Sequence, residues 1–134
     1  MLDPSNIPEI DDQELLRRYV VSRSHIRQQD LTVKPDAFMP PSNLEMSVTR
    51  DVSLSEAEVW EIGRSVANAR GKQLRGSANV IAKTYRANEL NVEVDVIPDN
   101  PNHAIITGWP SDKADQKAIA LQIAAVAKFA PVPD

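Results

Sequence analysis

Alternating apolar and polar residues mark a β-hairpin between residues 90 and 110. Valines at positions 92, 94 and 96 are separated by acidic residues, and side chains two apart on a strand share one face. Pro98 ends the run because it has no N–H for a ladder. An Asp-Asn-Pro-Asn turn follows, and residues 103–108 return as the second strand. The pattern predicts an antiparallel hairpin with all three valines facing inward.

The same alternation predicts two further strands. One runs from Leu44 to Arg50, where Leu, Met and Val alternate with polar residues. The other covers residues 78–84, which follow a glycine and have strand composition. A helical turn within residues 78–88 stays open as an alternative, because short apolar runs fit both structures.

Apolar residues three and four positions apart predict three helices. A short N-terminal helix begins at Asp11 or Asp12 and ends near residue 21. The second opens at Ser53 or Ser55, each followed three residues later by the glutamate of a capping box, and ends near residue 70. The third covers residues 111–130 and stops before a proline.

These elements predict a single α+β domain over residues 12–134, preceded by a flexible N-terminal arm of residues 1–11. The arm contains Pro4 and Pro8 and few apolar groups. We expect a mostly antiparallel sheet of three to four strands, covered on one face by the two longer helices, plus the short N-terminal helix.

Size and composition fit one soluble domain with an aliphatic core. The chain has 134 residues, of which 42% are hydrophobic and 4% aromatic. It has no cysteine, which excludes a disulfide scaffold, thiol catalysis and thiolate metal sites. No apolar run approaches the roughly 20 residues of a membrane helix, and the acidic N-terminus does not match a signal peptide. We therefore expect a cytoplasmic protein with no membrane partner.

Charge is unevenly distributed along the chain. The net charge is −4, yet the stretch from Arg64 to Arg86 contains basic residues and no acidic one. A solvated surface explains this stretch better than a nucleic-acid patch, because such patches usually lie on basic domains. RNA remains a possible partner.

Three short motifs resemble a pattern shared by a group of short uncharacterised bacterial proteins. They are PDAF at 35–38, EMSV at 45–48 and PNHAIITGWP at 101–110. The group is similar in an Ala-Phe loop, a Leu-or-Met-Ser-Val strand and a Pro-x-x-His-Ala-x-Ile-x-Gly hairpin. The resemblance covers roughly residues 12–130, and the hairpin motif is its most specific part. It implies an intracellular bacterial domain and no particular chemistry.

His103 is the leading candidate for chemistry, because an imidazole with an ordinary pKa near ~6.5 can act as a general acid or base. Paired with a cation, it could deprotonate a ribose 2′-hydroxyl while the cation stabilises the phosphorane, as in metal-free ribonucleases. The favoured cation is Arg50, and three others are possible: Arg64, Lys83 and Arg86. The simpler interpretation is structural, with His103 closing its turn by bonding a backbone carbonyl.

Four residues are candidates for binding. His103 and Asn102 lie at the turn, and Trp109 follows the strand as a possible exposed anchor. Phe38 lies in a loop between prolines. For Trp109, the alternative is a core position beneath the last helix. No histidine pair has metal-ligand spacing and the few glycines form no phosphate loop, so no metal or cofactor is expected.

Two functions follow from these patterns. The first is a small interaction or accessory domain, for example in a bacterial defence or toxin locus. It would bind a protein partner or a second copy, aided by an open hairpin edge. The alternative is a metal-independent RNA nuclease or similar small enzyme centred on His103. The incomplete catalytic set favours the first, and the patterns leave enzyme activity, substrate and oligomeric state open.

Overall fold

A computed structural model describes residues 1–133. Within them, six strands form one sheet: β1 Leu15–Val20, β2 Met46–Arg50, β3 Gly76–Ile81, β4 Asn91–Val94, β5 His103–Thr107 and β6 Lys128–Pro131. Their order is β4-β5-β2-β1-β3-β6 and all neighbours are antiparallel. Three α-helices accompany the sheet: α1 Glu56–Ala69, α2 Ala82–Ala87 and α3 Lys113–Ala124. The α+β class and the antiparallel sheet are confirmed, but the sheet has six strands rather than the expected three to four.

The two longer helices cover opposite faces of the sheet. α3 packs with the 3₁₀ turn Pro35–Phe38 over the face that carries Leu16 and Val20 of β1, and we call this the closed face. α1 packs over the other face through a smaller cluster that includes Tyr19 of β1. The expectation of both helices on one face is wrong, because β1 presents apolar side chains to both sides.

β1 replaces the predicted N-terminal helix. Leu16, Tyr19 and Val20 are buried, and their spacing fits a helical stripe when read alone. β1 is nevertheless paired with β2 on one side and β3 on the other. The apolar residues of β1 flank Arg17 and Arg18 instead of alternating with polar residues, so the segment lacks the period of two that marks a strand, which explains the incorrect assignment.

The structure decides two choices that the sequence left open in the middle of the chain. Residues 76–81 form β3, and α2 begins directly afterwards at Ala82, so the strand and the helical turn both occur. The helix α1 begins at the second of its two possible caps. The Ser55 hydroxyl accepts the Glu58 N–H at 3.1 Å, and the Glu58 carboxylate accepts the Ser55 N–H at 2.9 Å.

The last helix is shorter than its pattern predicts. Asp112 rather than Ser111 caps α3, accepting the N–H groups of Ala114 and Asp115. The helix ends at Ala124, and residues 128–131 form β6 on the free edge of β3. β6 thereby pairs backbone groups of β3 that a longer helix would leave at a free edge of the sheet.

β4 and β5 form the predicted hairpin, but its valines are not all inward. Val92 packs against the core, whereas Val94 is 42% exposed and Val96 is 41% exposed. β4 is an outermost strand of the sheet, and the layer over the closed face does not cover these two side chains. The prediction of an inward valine face is therefore wrong beyond Val92.

Residues 1–11, expected as a flexible arm, lie against the domain. Leu2 and Ile10 are buried. The Arg50 guanidinium, only 1% exposed, donates to the Glu14 carboxylate at 2.5 and 3.0 Å. It also donates to the carbonyls of Pro8 at 2.8 Å and Glu9 at 3.3 Å. Arg50 thus holds this segment to the closed face.

Candidate functional site

A cleft of about 320 Å³ opens on the face that carries α1, and we call it the α1 cleft. Its polar floor includes Ser47 and Thr49 of β2 and His103 of β5. One wall is apolar and belongs to α1, and the rim opposite is the β4–β5 loop at residues 97–100. Its volume lies at the lower end of the range for small-ligand pockets, roughly 300–1,000 Å³.

The cleft exists because β1 and β2 pair over only two residue positions, Leu16 with Arg50 and Arg17 with Thr49. Beyond them Arg18 bridges to β2 by donating to the Ser47 carbonyl at 3.0 Å. It also donates to the Ala37 carbonyl at 3.3 Å. The first of these bonds gives a partner to a carbonyl of β2 where the ladder between β1 and β2 has ended.

His103 is held at the floor by Asp95. Its Nδ1 lies 2.9 Å from the Asp95 carbonyl oxygen and 3.1 Å from the carboxylate Oδ2. Donation from Nδ1–H to Asp95 leaves Nε2 as the nitrogen with a free lone pair. The side chain is 12% exposed. His103 therefore makes the carbonyl contact expected of a structural turn histidine and also lines the cleft.

The structure does not bring Arg50 to His103. In the β2–β5 register Thr49 is opposite His103, and side chains of consecutive residues point to opposite faces. Arg50 is therefore buried on the closed face in its ion pair with Glu14. The other cations considered as partners also lie outside the cleft: Arg64, Lys83 and Arg86.

The other three binding candidates are internal. Asn102 is fully buried; its side chain accepts the Leu2 N–H at 2.8 Å and donates to the Arg50 and Val52 carbonyls. Trp109 is 5% exposed and donates to the Ile106 carbonyl at 3.1 Å. Phe38 is fully buried, edge-on to Tyr85. Of the four candidates, His103 alone lines the α1 cleft.

Two arginines that the sequence did not single out as site residues line the cleft. They are Arg18 and Arg70, and neither forms an ion pair with any of residues 1–133. Burial, with the positive charge of Arg70 nearby, lowers the pKa of Arg18 to about 10, so the guanidinium is still charged at neutral pH. Asp99 lies at the rim. Arg18 was not predicted as a site residue because the segment that contains it was assigned to a short helix.

Comparisons with known proteins do not assign the chain to a family. No protein-family model, curated protein or solved structure matches the chain. The resemblance to a bacterial group therefore stays a prediction. In the part of the chain that the structure describes, no helix has the length and apolar character needed to cross a bilayer. The same residues contain no cluster of three or more histidine and carboxylate side chains arranged to hold a metal.

Proposed function

We propose that this protein is a non-enzymatic interaction domain that binds a short segment of a protein partner in the α1 cleft, as part of an intracellular bacterial assembly. The observation that supports this most is the pairing of two surfaces. The α1 wall offers Ile62, Val66 and Ala69, while the floor offers hydroxyl groups and His103. An apolar wall opposite a few hydrogen-bonding groups is typical of a recognition site.

The groups on the floor suit binding better than bond cleavage. His103 is hydrogen-bonded to Asp95, and within residues 1–133 its side chain makes no hydrogen bond to a serine or threonine hydroxyl. Thr49 is 2% exposed and its hydroxyl accepts from the Asn100 side chain at 3.3 Å. A base that is hydrogen-bonded to no nucleophile lacks the arrangement of nucleophilic catalysis.

The outer edge of the hairpin can extend the contact surface. Val94, Val96 and Ile97 are each about two-fifths exposed, and Ile97 also belongs to the cleft rim. β4 is an edge strand, so its free backbone groups can pair with an extended peptide. A partner segment could fill the cleft and continue along this edge.

A pair of matched substitutions tests the proposal. Ala69 and Ala57 are both exposed on α1, but Ala69 lines the cleft and Ala57 does not. Affinity capture with the tagged protein should recover a partner with the wild type and with Ala57→Trp. Ala69→Trp should lose that partner, because the indole occupies the cleft. A partner retained equally by both variants, or none recovered by any of the three proteins, would count against the proposal.

The alternative function is a metal-independent RNA nuclease centred on His103. It is favoured by one observation: Asp95 holds Nδ1 of His103 while Arg70 lines the same cleft. Arg70 would take the charge-stabilising role first considered for Arg50. RNA incubated with the wild type and with His103→Ala decides between the functions. Cleavage by the wild type alone would replace the binding proposal, and equal behaviour would remove the nuclease.

A further inference from the structure

The α1 cleft contains positive charge that no described carboxylate neutralises directly. Arg18 uses Nε and Nη1 for two carbonyls, and its Nη2 donates to none of residues 1–133. Arg70, at the C-terminal cap of α1, is exposed and makes no side-chain hydrogen bond within the same residues. Two guanidinium groups with free donors can bind a carboxylate or phosphate through charge-assisted hydrogen bonds.

Resting on the proposed function, we infer that the α1 cleft recognises a carboxylate carried by an apolar residue, with the C-terminal residue of a partner chain as its ligand. Arg18 and Arg70 bind the carboxylate. The α1 wall, with Ile62 and Val66, holds the apolar side chain.

The charge balance favours a carboxylate over a phosphate. Asp99 lines the cleft and Asp95 lies beside His103, so nearby negative charge offsets part of the charge of the two guanidinium groups without an ion pair to either. A ligand with one negative charge suits this balance better than a phosphate group, which carries nearly two. Burial first, and then the nearby charge of Arg70, lower the pKa of Arg18, and an anion bound between the two guanidinium groups would offset their like charge.

The position of the apolar wall favours a chain end over a free small anion. Ile62, Val66 and Ala69 belong to the same helix whose C-terminal cap is Arg70. Val66 and Ala69 precede Arg70 by four residues and by one, which is about 6 Å or less along the helix axis, so a side chain on this part of the wall can belong to the same residue as a carboxylate at Arg70. Capture of a terminal carboxylate beside an apolar pocket is an established form of peptide recognition.

Chemical-shift titration of the full-length protein tests the inference with a minimal C-terminal residue. The probes are N-acetyl-leucine, which has the carboxylate, and N-acetyl-leucinamide, which does not. We expect N-acetyl-leucine to shift backbone amides of cleft residues such as Ser47, Ala69 and His103. We expect N-acetyl-leucinamide and the Arg70→Gln variant each to weaken that binding by roughly tenfold, the size of one charged hydrogen bond. Arg64→Gln, on the same helix outside the cleft, should bind like the wild type.

The outcomes separate this inference from the proposed function. Equal binding of the two probes, no shift with either, or tighter competition by inorganic phosphate than by N-acetyl-leucine would overturn the carboxylate assignment. A captured partner that is lost with Ala69→Trp but kept with Arg70→Gln would also overturn it, while leaving the α1 cleft as the interaction site. A partner that survives Ala69→Trp contradicts the proposed function itself.

Discussion

The two faces of the sheet differ in how completely they are covered. On the closed face α3 and the 3₁₀ turn bury Leu16, Phe38 and Ile106, and even a guanidinium is enclosed with its partner. On the other face one helix covers part of the sheet and leaves the α1 cleft. Thr49 and Arg50 are consecutive residues of β2, yet Thr49 lines the cleft and Arg50 lies in the core on the opposite face. Strand register thus decides which polar residues are structural and which are available to a ligand.

The largest effect is expected on the closed face. Arg50→Ala should lower the free energy of unfolding by about 4 kcal/mol, because the carboxylate of Glu14 stays in a buried site without its partner. Denaturant unfolding measures the loss. Arg64→Ala, on the exposed side of α1, should change stability by less than about 0.5 kcal/mol. Equal effects of the two substitutions would contradict the enclosure of Arg50.

Alkaline pH should destabilise both faces together. Burial raises the pKa of Tyr19 and of Tyr85, the two tyrosines of the chain. Their stabilising effect is complete below the unfolded value near ~10 and is lost as pH rises toward the folded values. By about pH 11 the raised pKa values of the two tyrosines should lower the free energy of unfolding by roughly 3 kcal/mol. Tyrosinate absorbance and far-UV circular dichroism should therefore change together in one step as the pH rises. Tyrosine ionisation at a pH well below that of unfolding would show that one of the phenol groups is exposed to solvent.

The packing of α1, which forms one wall of the cleft, depends on a close contact between Gly63 and Tyr19 of β1. A Cβ added at Gly63 would lie 2.6 and 2.9 Å from ring carbons of Tyr19. Gly63→Ala should therefore cost about 2 kcal/mol of unfolding free energy, despite the better helix propensity of alanine. Ser65→Ala, exposed on the same helix, should be near neutral. If Gly63→Ala proves the more stable variant, α1 does not pack closely on β1.

Removing each tyrosine hydroxyl gives the smallest and most discriminating effect. The Tyr19 hydroxyl donates to the Val59 carbonyl at 2.5 Å, whereas the buried Tyr85 hydroxyl has no partner within residues 1–133. Tyr19→Phe should lose about 1 kcal/mol of stability, and Tyr85→Phe should lose none or gain a similar amount. Thermal unfolding of the two variants compares them, and losses of the same sign and size would show that Tyr85 has a partner.

Structural features that depend on residues close in the chain could be predicted from the sequence, whereas strand pairing between distant segments could not. The Ser55–Glu58 capping box and the β4–β5 hairpin depend on residues close in the chain, and both were among the predictions. β1 required pairing with β2 and β3, far along the chain, and β6 required the free edge of β3. No short periodicity reports such contacts, so both segments were assigned to helices.

The candidate site was predictable only at its centre. His103 was singled out from its position after a turn, and it does line the cleft. Arg50, at the end of a predicted strand, was the favoured partner, yet the register that separates the faces of the two side chains depends on which residue of β2 is opposite His103. Arg18 and Arg70 come from β1 and the end of α1, and only the folded sheet brings them to one cleft.

Protection of a single cysteine tests most directly whether the α1 cleft is the interaction site. The chain contains no cysteine, so Ala69→Cys and Ala57→Cys each introduce a unique thiol on α1. Reaction with a maleimide should be fast at both positions in the free protein. Saturation with the captured partner should slow the reaction at position 69 and leave position 57 unchanged. Unchanged reactivity at position 69 in the complex would contradict the account.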